Sequence, residues 1–277
     1  MCIRDSRIIK GDEEAAEDLK ARIRPFILRR MKKDVLNELP ERIENTMYSD
    51  LTPEQKKMYL SYLALAKDKT RTLLNEGGGG KMRILSLLMR LRQICCHPVL
   101  FDEAYDKDSG KLNMLLELVA SGTESGHRIL IFSQFTSMLG IIRDKLDEMG
   151  IKSFYMDGKT PAYERAETAD RFNGGEREVF LISLKAGGTG LNLIGADMVI
   201  HYDPWWNPAA VDQASDRAYR IGQTKAVQII RLAARGTIEE KILKLQEAKR
   251  SLADDIIRVN NHTFSSLSND EILALFE

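Results

Sequence analysis

The segment Gln213–Gln223, QASDRAYRIGQ, holds the residues whose types and spacing are best suited to chemistry. Asn207-Pro208 supplies an N-cap and a first helical residue just upstream. A helix running on from there carries Gln213, Arg217 and Arg220 at i, i+4 and i+7, one amide and two guanidiniums on a single face. Guanidiniums keep their charge and present rigid paired donors, so such a fork suits phosphoryl oxygens. The plain alternative is a solvated basic face paired with Asp212 and Asp216.

Upstream, Ser183–Leu193 reads SLKAGGTGLNL, too rich in glycine for packing alone. Its backbone amides, at Gly188 and Gly190 among others, are open to close approach by a phosphate or another backbone. Gly158-Lys159-Thr160 resembles the end of a phosphate loop, G-x-x-x-x-G-K-[ST]. The first glycine of that motif falls on Ser153, inside an expected strand, so no cradle forms there. No acidic pair closes an apolar strand to hold Mg²⁺. The chain therefore shows no self-sufficient nucleotide site.

These segments must be positioned by regular elements. Short apolar runs at Arg128–Phe132, Lys152–Met156, Glu178–Ile182, Asp197–His201 and Val227–Leu232 alternate with helical patterns. That alternation predicts βαβ units and a mostly parallel, doubly wound α/β sheet. Ser133-Gln134-Phe135, the glycine-rich stretch and Asp203-Pro204-Trp205-Trp206-Asn207-Pro208 each follow a strand. All then fall at the carboxyl edge, where α/β sheets bind ligands. Upstream of about Asp106 the chain reads as helical and irregular. Thr52-Pro53-Glu54-Gln55 is a capping box that starts a helix. Gly77–Gly80 is expected at a flexible hairpin tip, and Ile84, Leu87, Leu88 and Leu91 line the returning helix. Thr237-Ile238-Glu239-Glu240 is a second capping box, opening a helix with Ile238, Ile242, Leu245 and Leu252 inward.

The composition excludes several classes. The 277 residues are 43% hydrophobic and 30% charged with a net charge of zero, an ordinary globular balance. Any nucleic-acid surface must therefore be local, as in the basic run Lys20–Lys33. Three cysteines without C-x-x-C argue against disulfides, and Cys95-Cys96-His97 cannot converge on one tetrahedral ion. The first six residues, MCIRDS, lack the apolar core of a secretory leader, resemble an adapter-derived start and are set aside. No apolar run is long enough to cross a membrane.

Taken together, PFILRRMKKDVLNELP, LRQICCHP, ILIFSQF, FYMDGKT to RFN, SLKAGGTGLNL, DPWWNP and DQASDRAYRIGQ resemble the second RecA-like lobe of the Swi/Snf family, within helicase superfamily two. The resemblance covers nearly the whole chain after residue 20. It implies that Arg217 and Arg220 act as fingers on the γ-phosphate of ATP, with Gln213 beside them. It places Mg²⁺ ligands and the phosphate loop on a first lobe upstream of Met1, so hydrolysis by this chain alone is not expected. It assigns contacts with one strand of double-stranded DNA to Ser133, Gln134, Lys185, Ala186 and Gly187, and a groove contact to Trp206.

The resemblance also implies an organisation. Residues 1–50 form the linker and the end of the first lobe, 51–110 a helical protrusion, 111–235 the lobe itself, and 236–277 a brace helix and tail. The expected activity is ATP-driven translocation on duplex DNA and remodelling of a DNA-bound protein complex. A bacterial cytoplasmic, nucleoid-associated setting fits, or a nuclear one in a eukaryote. Two alternatives stand beside it: a non-catalytic nucleic-acid-binding lobe acting alone, and an RNA helicase of a sister family. The latter carry a glycine where this chain has Asp216, and they lack DPWWNP.

Overall fold

The computed structural model describes residues 39–74, 78–187, 190–255 and 268–277, with the backbone alone for 248–255. The chain divides into two compact units, residues 1–38 with 252–259 and residues 39–251 with 260–277. The second unit holds the sheet and is the one described below. Met1–Ser6, the basic run Lys20–Lys33, most of PFILRRMKKDVLNELP and the side chain of Leu252 lie outside the described residues.

Six strands form one wholly parallel sheet. They are β1 (Arg42–Ser49), β2 (Ile129–Ser133), β3 (Ser153–Met156), β4 (Val179–Ser183), β5 (Met198–His201) and β6 (Val227–Ala234), in the order β1-β6-β5-β2-β4-β3. Every residue of β2, β4 and β5 is buried, as a sheet covered on both faces requires. Alternate side chains go to opposite layers. Leu130, Phe132, Phe180, Ile182 and Val199 pack with Phe172 on one face. Ile129, Ile131, Val179, Leu181 and Ile200 pack with Leu115, Val119, Leu139 and Ile142 on the other. The doubly wound α/β expectation holds.

The helices are α1 (Pro53–Leu73), α2 (Gly78–Cys96), α3 (Gly110–Glu124), α4 (Thr136–Glu148), α5 (Ala162–Asn173), a helical turn α6 (Leu184–Gly187), α7 (Pro208–Ser215), α8 (Ile238–Asp255) and α9 (Asn269–Ala274). Helix α1 begins at the expected capping box: the Thr52 hydroxyl accepts from the Gln55 amide at 3.3 Å, and the Gln55 side chain accepts from the Thr52 amide at 3.4 Å. Helices α1, α2, α8 and α9 share a third apolar cluster, including Tyr59, Ile84, Leu88, Ile238, Ile242 and Phe276.

Three expectations are corrected. Residues 42–49, placed in a linker, are the outer strand β1 of this sheet. Their order RIENTMYS has neither period 2 nor an apolar run, and pairing with β6 supplies the strand. Gly78–Gly80, assigned to a flexible tip, begin α2. Gly80 is buried there, and a Cβ on it would stand 1.9 Å from the Leu73 carbonyl oxygen of α1. Glycine at 80 lets two backbones meet. At α8 the cap is shifted: Glu240 accepts from the Gly236 amide at 2.9 Å, and the Thr237 hydroxyl accepts from the Glu239 amide at 3.2 Å.

Candidate nucleotide and nucleic-acid site

The arginines do not share a helix with Gln213. Asn207 caps α7 as expected, accepting from the Ala209 amide at 3.0 Å, but the helix stops at Ser215. Two local bonds explain the stop. The Ser215 hydroxyl turns back to donate to the Val211 carbonyl at 3.1 Å, and it lies 2.8 Å from His201 Nε2. Beyond the stop, the Leu193 amide donates to the Arg217 carbonyl at 3.0 Å. Residues 216–220 form a turn and bend instead. Gln213 is exposed on α7, Arg220 is exposed in the bend, and Arg217 is 8% exposed between them.

Gln223, not singled out from the sequence, holds this turn from behind. Its Nε2 donates to the carbonyls of Ile194, Ala196 and Ala218, and its Oε1 accepts from the amides of Thr224 and Lys225. The arginine turn and the segment after Gly190 are thereby one structure. Burial first, and then the charge of Arg220, push the Arg217 guanidinium below its ordinary pKa, while Asp216 works the other way. Two like charges held this close favour a polyanion between them. Asp212 and Asp216 are also engaged from the sheet, by Arg42 at 3.5 and 3.4 Å. Arg231 bridges Glu44 at 2.5 Å in the same network.

At the carboxyl edge, β5, β2 and β4 are neighbours, so the three loops stand side by side. β2 and β4 end on paired serines, Ser133 opposite Ser183. The Ser133 hydroxyl accepts from the Phe135 amide at 3.1 Å, and the Ser183 hydroxyl from the Ala186 amide at 3.3 Å. Ser133 is fully buried and donates to Asp203, while Ala186 is 1% exposed. Two of the residues expected at DNA, Ser133 and Ala186, thus have buried side chains. Lys185 is exposed, and Gln134 and Trp206 are half-buried. Gly190 is exposed with φ +37°, in the left-handed region. Gly188 lies outside the described residues.

No motif or spacing in the sequence points to what fixes these loops. Arg92 of α2 is 1% exposed and Asp203 fully buried. The Arg92 guanidinium donates to Gln134 Oε1 at 2.9 Å, to Asp203 Oδ2 at 3.3 Å and to the Pro204 carbonyl. It also lies 5.8 Å from the rings of both Phe135 and Trp206. Nearby, Lys111 and Glu239 form a second fully buried ion pair, with Lys111 Nζ 2.6 Å from Glu239 Oε1. Glu239 also accepts from the Ala234 amide at 2.9 Å. The Lys111 ammonium lies 5.2 Å from the Tyr202 ring.

The phosphate-loop resemblance at Gly158-Lys159-Thr160 does not make a cradle. Ser153 is inside β3, and the loop is filled by its own contacts. Lys159 amide donates to Asp157 Oδ1 at 2.8 Å, and the Asp157 amide to the Thr160 hydroxyl at 3.1 Å. Among the described residues, no group of three or more His, Cys, Asp or Glu is placed to hold a metal ion. No described helix is long and apolar enough to cross a membrane.

A parallel sheet with loops at its carboxyl edge, and an arginine turn held against the segment that leads into β5, is the architecture of a RecA-like lobe of a helicase-type ATPase. Comparison with known proteins agrees. Residues 110–222 match the Helicase conserved C-terminal domain, and residues 2–100 the SNF2-related domain. The C-terminal domain of the SWI2/SNF2 ATPase of Sulfolobus solfataricus is similar over 84% of this chain and 96% of its own, with 34% identity and a TM-score of 0.65. The ATPase core of Sulfolobus solfataricus SWI2/SNF2, solved in complex with double-stranded DNA, aligns over 96% of this chain and 57% of its own, with 38% identity and a TM-score of 0.66. A putative ATP-dependent helicase/translocase of Bacillus subtilis, YwqA, is 40% identical over 96% of this chain and 29% of its own length. The chain belongs to the SWI2/SNF2 family of helicase-type ATPases. It spans about a quarter of the length of the curated relatives it matches.

Proposed function

We propose that this chain supplies the arginine-bearing half of an ATP-driven motor that moves along double-stranded DNA and remodels the proteins bound to it. The observation that carries the reading is the turn at Arg217–Arg220. One buried and one exposed guanidinium stand within electrostatic reach of each other there, on a support clasped by Gln223. Their fit is to a phosphate tail. ATP with Mg²⁺ is the substrate, its phosphates and metal held by a partner lobe that carries a phosphate loop. Arg220 and Arg217 neutralise charge building on the terminal phosphoryl oxygens, with Gln213 at the rim. Fixed donors cost no reorganisation when that charge develops.

The duplex lies against the carboxyl edge. Lys185, Gln134 and the backbone around Gly187 meet phosphates, and Trp206 meets a groove, while Ser133 and Ala186 support them from below. The likeness to an archaeal relative solved with duplex DNA supports this placement. Contacts of this kind position a protein without reading sequence. In this reading β1 belongs with the lobe, α1 and α2 form the protrusion, and α8 is the brace helix.

The test uses the two-lobed protein. Arg220→Ala is expected to leave ATP binding nearly intact and to cut DNA-stimulated hydrolysis by ~10³ to 10⁵, the usual contribution of an arginine finger. Arg217→Ala should do likewise, and the two losses should not add, because both act on one transition state. Retention of more than about half the turnover by Arg220→Ala excludes a finger role.

A further inference from the structure

We infer that Arg92 is a positioning residue for the DNA-facing edge: it sets where Gln134 and Trp206 stand, and through them how tightly a duplex is held. The inference rests on the DNA reading above. Arg92 belongs to α2, outside the sheet, yet it is 1% exposed and reaches two separate edge loops at once. On the β2 loop it donates to Gln134 Oε1. On the β5 loop it donates to Asp203 and to the Pro204 carbonyl, two residues before Trp206. Its guanidinium carbon also lies over the rings of Phe135 of the first loop and Trp206 of the second, 5.8 Å from each ring centre.

No other side chain type does all of this. Lysine keeps the charge but offers a single point, whereas the guanidinium is a rigid fork that also stacks on rings. Asp203 anchors the arrangement from the other side, since its carboxylate accepts from the Ser133 hydroxyl and from the Gln134 amide at 3.2 Å. Asp203 thus joins the end of β2 to Arg92. Being buried, Arg92 is not itself a phosphate ligand. Its removal should therefore weaken duplex binding without changing the number of phosphates neutralised.

The test compares Arg92→Lys with Lys185→Ala in a Trp205→Phe background, where Trp206 is the sole tryptophan. Arg92→Lys retains a cation beside Asp203 and should melt cooperatively, as circular dichroism will report. Acrylamide should quench its Trp206 emission more readily than in the parent. Anisotropy with a 20-base-pair duplex (roughly two helical turns) should show about tenfold weaker binding, equivalent to one or two lost hydrogen bonds. The slope of log affinity against log salt should not change. Lys185→Ala should instead flatten that slope by about 0.9 and leave Trp206 quenching as it was. A flattened slope in Arg92→Lys means direct phosphate contact and overturns the inference. Unchanged Trp206 quenching in a folded Arg92→Lys overturns it too, with or without DNA. Failure of the parent to bind duplex at low salt overturns the DNA reading instead.

Discussion

His201 shows how much one buried side chain can fix. It closes β5 on the strand next to β2, stacked on Phe132 at 5.4 Å between ring centres. Its Nε2 meets the Ser215 hydroxyl, which already donates to Val211, so the imidazole is the donor. Nδ1 finds no hydrogen-bond partner among the described residues. Burial first, and then the nearby Arg231 and Arg42 charges, push the imidazole pKa down to about 3 against only Glu44. The sign follows directly. The native state holds the neutral ring, so as pH falls below the unfolded value of 6.5 the unfolded chain gains a proton that the native chain refuses. Stability contributed by this residue is complete above that pH and is lost towards pH 3, at about 1.4 kcal/mol per pH unit. Urea unfolding at pH 7 and pH 5 should therefore show a larger loss for the parent than for His201→Asn. Equal losses would place the titration elsewhere.

At the scale of elements, the meeting of α1 and α2 makes the sharpest forecast. A methyl at Gly80 must push against a backbone carbonyl, so Gly80→Ala should destabilise the chain by ~1–3 kcal/mol, as overpacking does. Gly140, in the middle of α4 with nothing within 4 Å of its missing Cβ, is the contrast: Gly140→Ala should stabilise by ~0.5–1 kcal/mol. The urea midpoints of the two variants will show whether they move in opposite directions. The same pair marks what the sequence could reveal. The run of glycines was legible as a break between helices, but its backbone contact with Leu73 was not, since that depends on how two helices cross. The five strands with apolar runs were legible. β1 was not, because Arg42 and Glu44 earn their place by pairing with Arg231, Asp212 and Asp216 from distant segments. Gln213, Arg217 and Arg220 were singled out by type, yet the helix expected to carry all three ends early for a reason located at Ser215 and His201. Arg92 was hidden within LRQICCHP, since its partners lie 42 and 111 positions away.

For the whole molecule, the proposed division of labour between lobes predicts what this chain does alone. The arginines can act only on a phosphate presented from elsewhere, and the Gly158 loop is closed on itself. ATP should therefore bind the isolated chain at millimolar affinity or weaker, an order of magnitude suited to a few ionic contacts. In the proposed reading duplex DNA needs no nucleotide to meet Lys185, Gln134 and Trp206. It should bind weakly and without sequence preference, with log affinity falling by ~0.9 per contacted phosphate for each log unit of salt. An ATPase assay with anisotropy at two salt concentrations covers both. Robust turnover by the isolated chain would contradict the shared site, and salt-independent DNA binding would contradict the phosphate contacts. The outer strand carries one more consequence, in time rather than in space. Glu44 of β1 meets Arg231 of β6 from 187 positions away. Closing so long a loop costs entropy before any contact repays it, and non-local pairing of this kind slows folding. During synthesis β1 leaves the ribosome well before β6 and must wait for it before it has a neighbour. For that interval its charged residues, Arg42 and Glu44, are what keep an unpaired strand from finding the wrong one.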